Sequence, residues 1–225
     1  MRVWILGLVL LVFPFFLLGA DSGLVVFWPV DDGKVNPVSN IIGEEGQGKL
    51  QGKVDLDEGI RGYALDFYDQ DGFYSLDLLD SWVLSDAGFS FAFWLYHRGI
   101  DADTVLVQAS GFKLMGDPVY KNRIALELFF ADGDRELIRF PMDLPKREWV
   151  HLCVVIGNGR VDFYLNGKLT FSESYWGNKL RGDSNPIRER VFIAGDGDKN
   201  TFSGDIDEFA WFSRRIGEYE CAGLI

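Results

Sequence analysis

Histidine, cysteine and methionine are scarce in this chain, at 2, 2 and 3 of 225 residues. Two histidines give a His-based metal cluster or proton relay little to draw on, and two cysteines exclude a disulfide-dense scaffold. Basic residues are also in deficit, with 22 Lys and Arg against 34 Asp and Glu and a net charge of −12. That sign repels a phosphate backbone and argues against nucleic acid as a partner; anionic lipid is disfavoured for the same reason. After residue 20 there is no second apolar span, no Ser/Pro-rich linker, no repeat at a solenoid period and no Asn-x-Ser/Thr sequon. No stretch keeps a long helical period.

Aromatic and turn-forming residues are abundant instead: 19 Phe, 8 Tyr, 7 Trp and 26 Gly. These suit strands and tight turns, so an all-β domain is expected. Met1 to Ala20 carries Arg2 as its only charge, then an apolar run, then Gly19 and Ala20 before Asp21. This is the pattern of a secretory signal peptide cleaved after Ala20. The competing reading is a retained membrane anchor, against which stand Pro14 inside the run and the absence of a basic cluster after it. Once the signal is removed no stable membrane span remains. Residues 21–225 are then expected to form one domain, secreted or held outside the cytoplasm in a periplasm or cell envelope.

Apolar/polar alternation bounded by Gly, Asp and Asn marks strands near Leu24 to Val30, Gly62 to Phe67, Phe73 to Leu78, Phe89 to Tyr96 and Thr104 to Gln108. It continues at Arg123 to Phe130, Glu136 to Phe140, Trp149 to Ile156, Val161 to Leu165, Lys168 to Ser172, Val191 to Ala194 and Asp205 to Phe212, with a short helical turn over Gly217 to Ala222. Asp71-Gly72 and Asn166-Gly167 supply the positive φ angles of tight hairpins. A dozen strands in one flat sheet would expose long edges, which leaves two packed sheets or a barrel; two sheets are favoured. Phe89, Phe91, Phe93 and Leu95 alternate with Ser90, Ala92, Trp94 and Tyr96, so that strand is apolar on both faces and belongs in the middle of a sheet.

Three segments, in order, carry a resemblance. Gly62-Tyr-Ala-Leu-Asp-Phe67 with Phe89-Ser-Phe-Ala-Phe-Trp-Leu-Tyr96 resembles the opening half of the laminin-G-like, concanavalin A-like jelly-roll family. Glu148-Trp-Val-His-Leu-Cys-Val-Val155 followed by Val161-Asp-Phe-Tyr-Leu-Asn-Gly-Lys168 is similar to its W-x-H and Y-x-N-G-K hairpin. Phe202-Ser-Gly-Asp-Ile-Asp-Glu-Phe-Ala-Trp-Phe212, leading to Arg215-Ile-Gly-Glu-Tyr-Glu220, resembles its F-x-G-x-I-D-E strand and closing turn. The resemblance implies a two-sheet antiparallel jelly-roll sandwich and a non-catalytic recognition module, for glycans first and for a cell-surface or envelope protein as the alternative.

The same architecture hosts glucanases, whose motif is a strand bearing E-x-D-x-x-E, so a divergent glycoside hydrolase is the remaining alternative. The nearest match is Asp205-Ile-Asp207-Glu208-Phe209-Ala210. Strict alternation puts Asp205, Asp207 and Phe209 on one face and Glu208 on the other, and leaves Phe209 or Ala210 where the acid/base carboxylate belongs. No catalytic residue is therefore assigned. Calcium is the stronger candidate cofactor. Asp196-Gly-Asp198-Lys-Asn200 spaces oxygen side chains at alternate positions, and Asp207 follows at the distance of a last ligand. Thr201 stands where a helical calcium loop requires glycine, which rules that loop out. What the family resemblance implies is a structural calcium linking Asp207 to carbonyls near the first strand; the alternative is that Asp207 accepts hydrogen bonds from backbone amides.

A sugar ring offers an apolar C–H face to an aromatic plane while Asn, Asp and Arg bond its hydroxyls. Tyr175 and Trp176, beside Asn178, and Trp82 with Tyr120 are the aromatics expected to be partly exposed and are the candidate ligand contacts. Trp94, Trp149 and Trp211 lie within strands and read as core. Cys153 and Cys221 either form a disulfide that pins the C-terminal tail or leave Cys153 as a small buried hydrophobe. Arg181-Gly-Asp183 matches the integrin-recognition tripeptide, but any given tripeptide arises by chance in roughly a few per cent of chains this long, so it reads as an exposed polar loop with no integrin partner assigned.

Overall fold

Hydrophobic alternation becomes a sandwich of two antiparallel sheets in a computed structural model that describes residues 23–69, 71–79, 88–177, 179–182, 188–199 and 202–225. The larger sheet runs β13 (Lys168–Ser174), β12 (Arg160–Leu165), β11 (Trp149–Gly157), β6 (Phe89–His97), β15 (Gly204–Phe212), β4 (Tyr63–Asp66) and β3 (Asp55–Glu58), with β1 (Leu24–Trp28) also paired to β15. The smaller runs β10 (Arg135–Arg139), β9 (Ile124–Phe129), β8 (Phe112–Gly116), β7 (Val105–Gln108), β14 (Arg188–Ile193), β5 (Phe73–Leu79) and β2 (Lys49–Gln51). Among the described residues one helix, α1 (Glu218–Ala222), is present, and it follows β15. No helix among the described residues is long and apolar enough to cross a membrane.

The expected strands are present, and three more join them. β2 and β3 are short, and β3 carries Leu56 as its one apolar residue, too little for alternation to register. β8 alternates Phe112, Lys113, Leu114 and Met115 but sits between Gly111 and Gly116, so it reads as a turn-rich connection.

Between the sheets, Phe89, Phe91, Phe93 and Leu95 of β6 interleave with Val150, Leu152, Val154 and Ile156 of β11, all fully or almost fully buried. Phe91 lies 5.4 Å from the Trp211 ring of the same sheet and 5.5 Å from Phe112 across the sandwich, so one side chain joins both layers. The opposite face of the larger sheet is divided. Ala92, Cys153, Val155, Ala210 and Phe212 form a second buried cluster under Ile216 and Cys221, the latter from α1. Past the reach of α1 that face is polar and aromatic.

β15 departs from strict alternation. Its pairing to β6 shifts between Asp207 and Ala210, and Glu208 there takes φ 48°. The bulge inserts one residue, so Phe209 turns into the main core and Ala210 takes the outer face. This corrects the expectation that Asp205, Asp207 and Phe209 share a face. The bulge also marks a change of partner: Asp205 and Ile206 pair with β4, whereas Phe209 to Phe212 pair with β1.

Truncating the ring that bridges the two sheets should leave a cavity that neither layer can close. Phe91→Ala is expected to cost about 3–5 kcal/mol, measured by urea denaturation; a loss under about 1 kcal/mol would mean that Phe91 does not join the layers.

Candidate functional site

Register assembles what the sequence scatters. On the outer face of the larger sheet, Trp149 pairs with Tyr96, Tyr96 with Asp205, Asp205 with Asp66, and Asp66 with Asp55. Five strands thus contribute one side chain each to a continuous row, about 19 Å long at the usual strand spacing. One end is aromatic, with the Tyr96 and Trp149 rings 5.6 Å apart and both half-buried. The other end is acidic, and carboxylate oxygens of Asp57, Asp66 and Asp205 lie within 4.8 Å of one another.

Arg98, just beyond β6, joins the two ends. Its Nη1 stands 3.4 Å from Asp205 and 3.6 Å from Asp66, and its guanidinium lies 4.4 Å from the centre of the Tyr68 ring and 5.6 Å from that of Tyr96. Tyr68 is 44% exposed, so a flat ring backed by a cation faces solvent at the edge of the row. Burial pushes the Asp205 carboxyl up to about 7, helped by its hydrogen bond with Asp66 and opposed by Arg98. In the next row His151 packs edge-on against Trp94 at 5.3 Å, and burial lowers its imidazole to about 4, so at neutral pH it is an uncharged packing residue.

Asp207, two residues from Asp205 and fully buried, serves the bulge. Its Oδ2 accepts N–H bonds from Ile60 at 2.9 Å and Arg61 at 3.5 Å, and its Oδ1 accepts one from Glu208 at 2.7 Å. Gly59 permits this approach, since a Cβ there would stand 2.5 Å from Oδ2. Burial raises the Asp207 carboxyl to about 7, although the amide donors pull it down. Glu208 points instead toward Arg61, 3.5 Å away. Asp207 therefore turns its oxygens to backbone amides and is not free to pair with Asp205 as a hydrolytic carboxylate.

Among the described residues the candidate calcium ligands Asp196, Asp198 and Asp207 do not converge on one point. Asp196 accepts the amides of Asp198 and Lys199 within its own turn, and among the described residues the convergent acidic group is Asp57, Asp66 and Asp205, without Asp196, Asp198 or Asp207. Asp207 accepts three backbone N–H bonds, from Ile60, Arg61 and Glu208. The acidic group beside β4 already has Arg98 as its counter-charge.

The aromatic candidates read from the sequence lie elsewhere. Trp176 is 91% exposed and its backbone N–H donates to Glu136 at 3.0 Å, while Tyr175 packs on Phe130 at 5.9 Å, near the β9 and β10 edge of the smaller sheet. Tyr120 lies in the turn between β8 and β9, with the Arg123 guanidinium 4.6 Å from its ring. Trp82 and Asn178 lie outside the described residues. Sequence reasoning missed Tyr68, Tyr96, Arg98 and Asp66, and it took Trp149 for core. The one available signal was that Tyr96 closes the outer alternation of β6.

A two-sheet antiparallel sandwich with a displayed polar-aromatic sheet face is the general form of a binding module. The model of the concanavalin A-like lectin/glucanases superfamily matches residues 71–221, and the chain belongs to that family. Domain 4 of an extracellular GH43 arabinanase from Geobacillus stearothermophilus, solved with arabinotriose, superposes with TM-score 0.70 at 18% identity, over 89% of this chain and 97% of that one. Botulinum neurotoxin type C, whose cell entry depends on two ganglioside molecules, superposes with TM-score 0.65 at 16% identity, over 91% of this chain. The binding domain of botulinum neurotoxin DC, solved with rat synaptotagmin II, gives TM-score 0.66 at 15% identity, over 90% of this chain. The chain spans about half of each toxin chain, 51% in both. At these identities the likeness is one of fold. No curated protein matches the sequence.

Two outcomes follow from the buried aspartates. Asp205 and Asp207 hold protons more tightly folded than unfolded, where 3.8 is the ordinary value. The stability they contribute is therefore complete below about pH 4, falls as pH rises and is lost above about pH 7. Urea denaturation across that range should show the decline, and Asp207→Asn should remove about half of it; stability that rises steadily from pH 4 to pH 7 would contradict the assignment. Wild type is also expected to melt at the same temperature in calcium and after chelation. A calcium-dependent rise that Asp207→Ala abolishes would make Asp207 a ligand instead.

Proposed function

We propose that this domain is a non-catalytic carbohydrate-binding module that works outside the cytoplasm, and that the row from Trp149 through Tyr96, Asp205 and Asp66 to Asp55 is its ligand platform. The observation that carries this reading is the register itself, which sets two aromatic rings and three carboxylates in one outward line beside Arg98 and Tyr68. Sugar hydroxyls are bonded by planar polar groups while sugar C–H faces stack on rings, and both are present here within one row. Export is supported by the signal-like residues 1–20. The arabinanase domain solved with arabinotriose and the ganglioside-dependent toxin support a sugar as the ligand class.

The acidic end gives this platform a preference. Asp55, Asp57 and Asp66 repel uronate, sialate or sulfate groups, so neutral oligosaccharides are the expected ligands. The alternative hydrolase reading has against it the amide-bonded oxygens of Asp207.

A glycan array run with and without calcium identifies the ligand, and titration calorimetry tests the site. Tyr96→Ala and Arg98→Ala are each expected to weaken binding by roughly tenfold, whereas Trp176→Ala should leave it within about twofold. Loss of binding in Trp176→Ala with full binding in Tyr96→Ala would move the platform to the Tyr175 and Trp176 loop.

A further inference from the structure

We propose that Cys153 and Cys221 are oxidised to a disulfide that fastens α1 to the outer face of β11. The two residues are separated by 68 positions in the chain, and their sulfurs meet 2.9 Å apart, both fully buried. A disulfide needs about 2.05 Å, so closure asks for a movement of roughly 0.9 Å between atoms that already face each other. The backbones are held in place independently of the sulfurs. Cys153 is paired on both sides, to Ala92 of β6 and Tyr164 of β12, so it cannot shift out of register. Cys221 is carried by a helix whose start is closed by the Gly217 N–H donating to Glu220 at 3.0 Å, and Glu220 is gripped by Arg214 at 2.5 Å. Ile216, Ala210 and Phe212 complete the apolar wall around the pair.

α1 is five residues long, and it is what covers this part of the sheet. A helix that short is marginal by itself, and a covalent tie is the strongest way to keep Cys153 and Val155 out of water. The reaction is an exchange with a disulfide of small-molecule or protein type. One cysteine thiolate attacks the oxidant's S–S bond, giving a mixed disulfide and one released thiol. The second cysteine then displaces the other half as a thiol. Two S–H bonds and one S–S bond break, one S–S bond forms, and the oxidant takes up two electrons and two protons. Burial raises the Cys153 thiol well above its ordinary range, which makes it unreactive once covered. Exchange therefore belongs to the stage of folding before α1 docks, or to moments when α1 lifts away.

The test is to unfold the full chain with reductant, refold it in a glutathione redox buffer, and alkylate it under denaturing conditions before intact mass analysis. The expected species carries no alkyl group and is lighter than the dithiol by two hydrogen atoms; reductant then releases two alkylatable thiols. The oxidised protein should melt higher than the reduced protein by on the order of 5–10 °C, and the reduced form alone should be cut by protease within residues 213–225. Cys221→Ala, which changes a helix residue and spares the central strand, should abolish the redox dependence of melting and resemble reduced wild type. Two alkylated thiols after oxidative refolding, a glutathione adduct on one cysteine with the other free, or identical melting of oxidised and reduced wild type would each overturn the proposal.

Discussion

The change of partner along β15 is the constraint on which the rest of the larger sheet depends. β6 follows β15 on one side, but on the other side Asp205 and Ile206 belong to β4 and Phe209 to Phe212 belong to β1. Two strands cannot occupy one edge without a break between them, and the bulge at Glu208 supplies it. A bulge leaves backbone amides without ladder partners, and buried amides must be satisfied. The Asp207 carboxylate does this, reaching the Glu208 amide at the bulge and the Ile60 and Arg61 amides in the turn before β4. Its desolvation is the cost of the device, seen in the raised proton affinity of the group.

From that break follow the two halves of the outer face. Beyond it, Ala210 and Phe212 point outward and need cover, which Ile216 and α1 provide. Before it, Asp205 points outward between Tyr96 and Asp66, and no helix among the described residues lies over them. The same strand therefore makes a closed apolar patch at one end and an open polar-aromatic one at the other. A displayed row of rings and carboxylates suits recognition, where complementarity and modest rearrangement suffice. Hydrolysis asks for two free carboxyls facing one bond, and Asp207 is occupied with holding the strand.

Much of this was legible in the sequence, and the limits have physical causes. The period-2 apolar pattern of Phe89 to Tyr96 and Trp149 to Ile156 marked the central strands, because strands buried on both faces leave long apolar runs. The I-D-E segment marked Asp207 as unusual, and both of its possible roles could be named. The bulge could not be read, since one inserted residue changes which face every later side chain takes and leaves composition untouched. The row of five could not be read either. Trp149, Tyr96, Asp205, Asp66 and Asp55 meet only through pairings between strands distant in sequence, and Arg98 and Tyr68 enter from connections whose course alternation does not encode. Exposure misled in the other direction: Trp176 is almost wholly solvent-exposed, yet its backbone N–H is tied to Glu136 of the smaller sheet and no ring among the described residues stacks with it.

The claim at the centre is that this outer row is where ligand is held. Its most direct measurement is a two-dimensional nuclear magnetic resonance titration of the labelled protein with the tightest neutral oligosaccharide from the array. The Trp149 indole signal and the backbone amides of Tyr96, Asp205, Asp66 and Arg98 are expected to shift together and saturate at one concentration. Shifts confined to Tyr175 and Trp176, or to the turn that carries Tyr120, with the row unmoved, would contradict it.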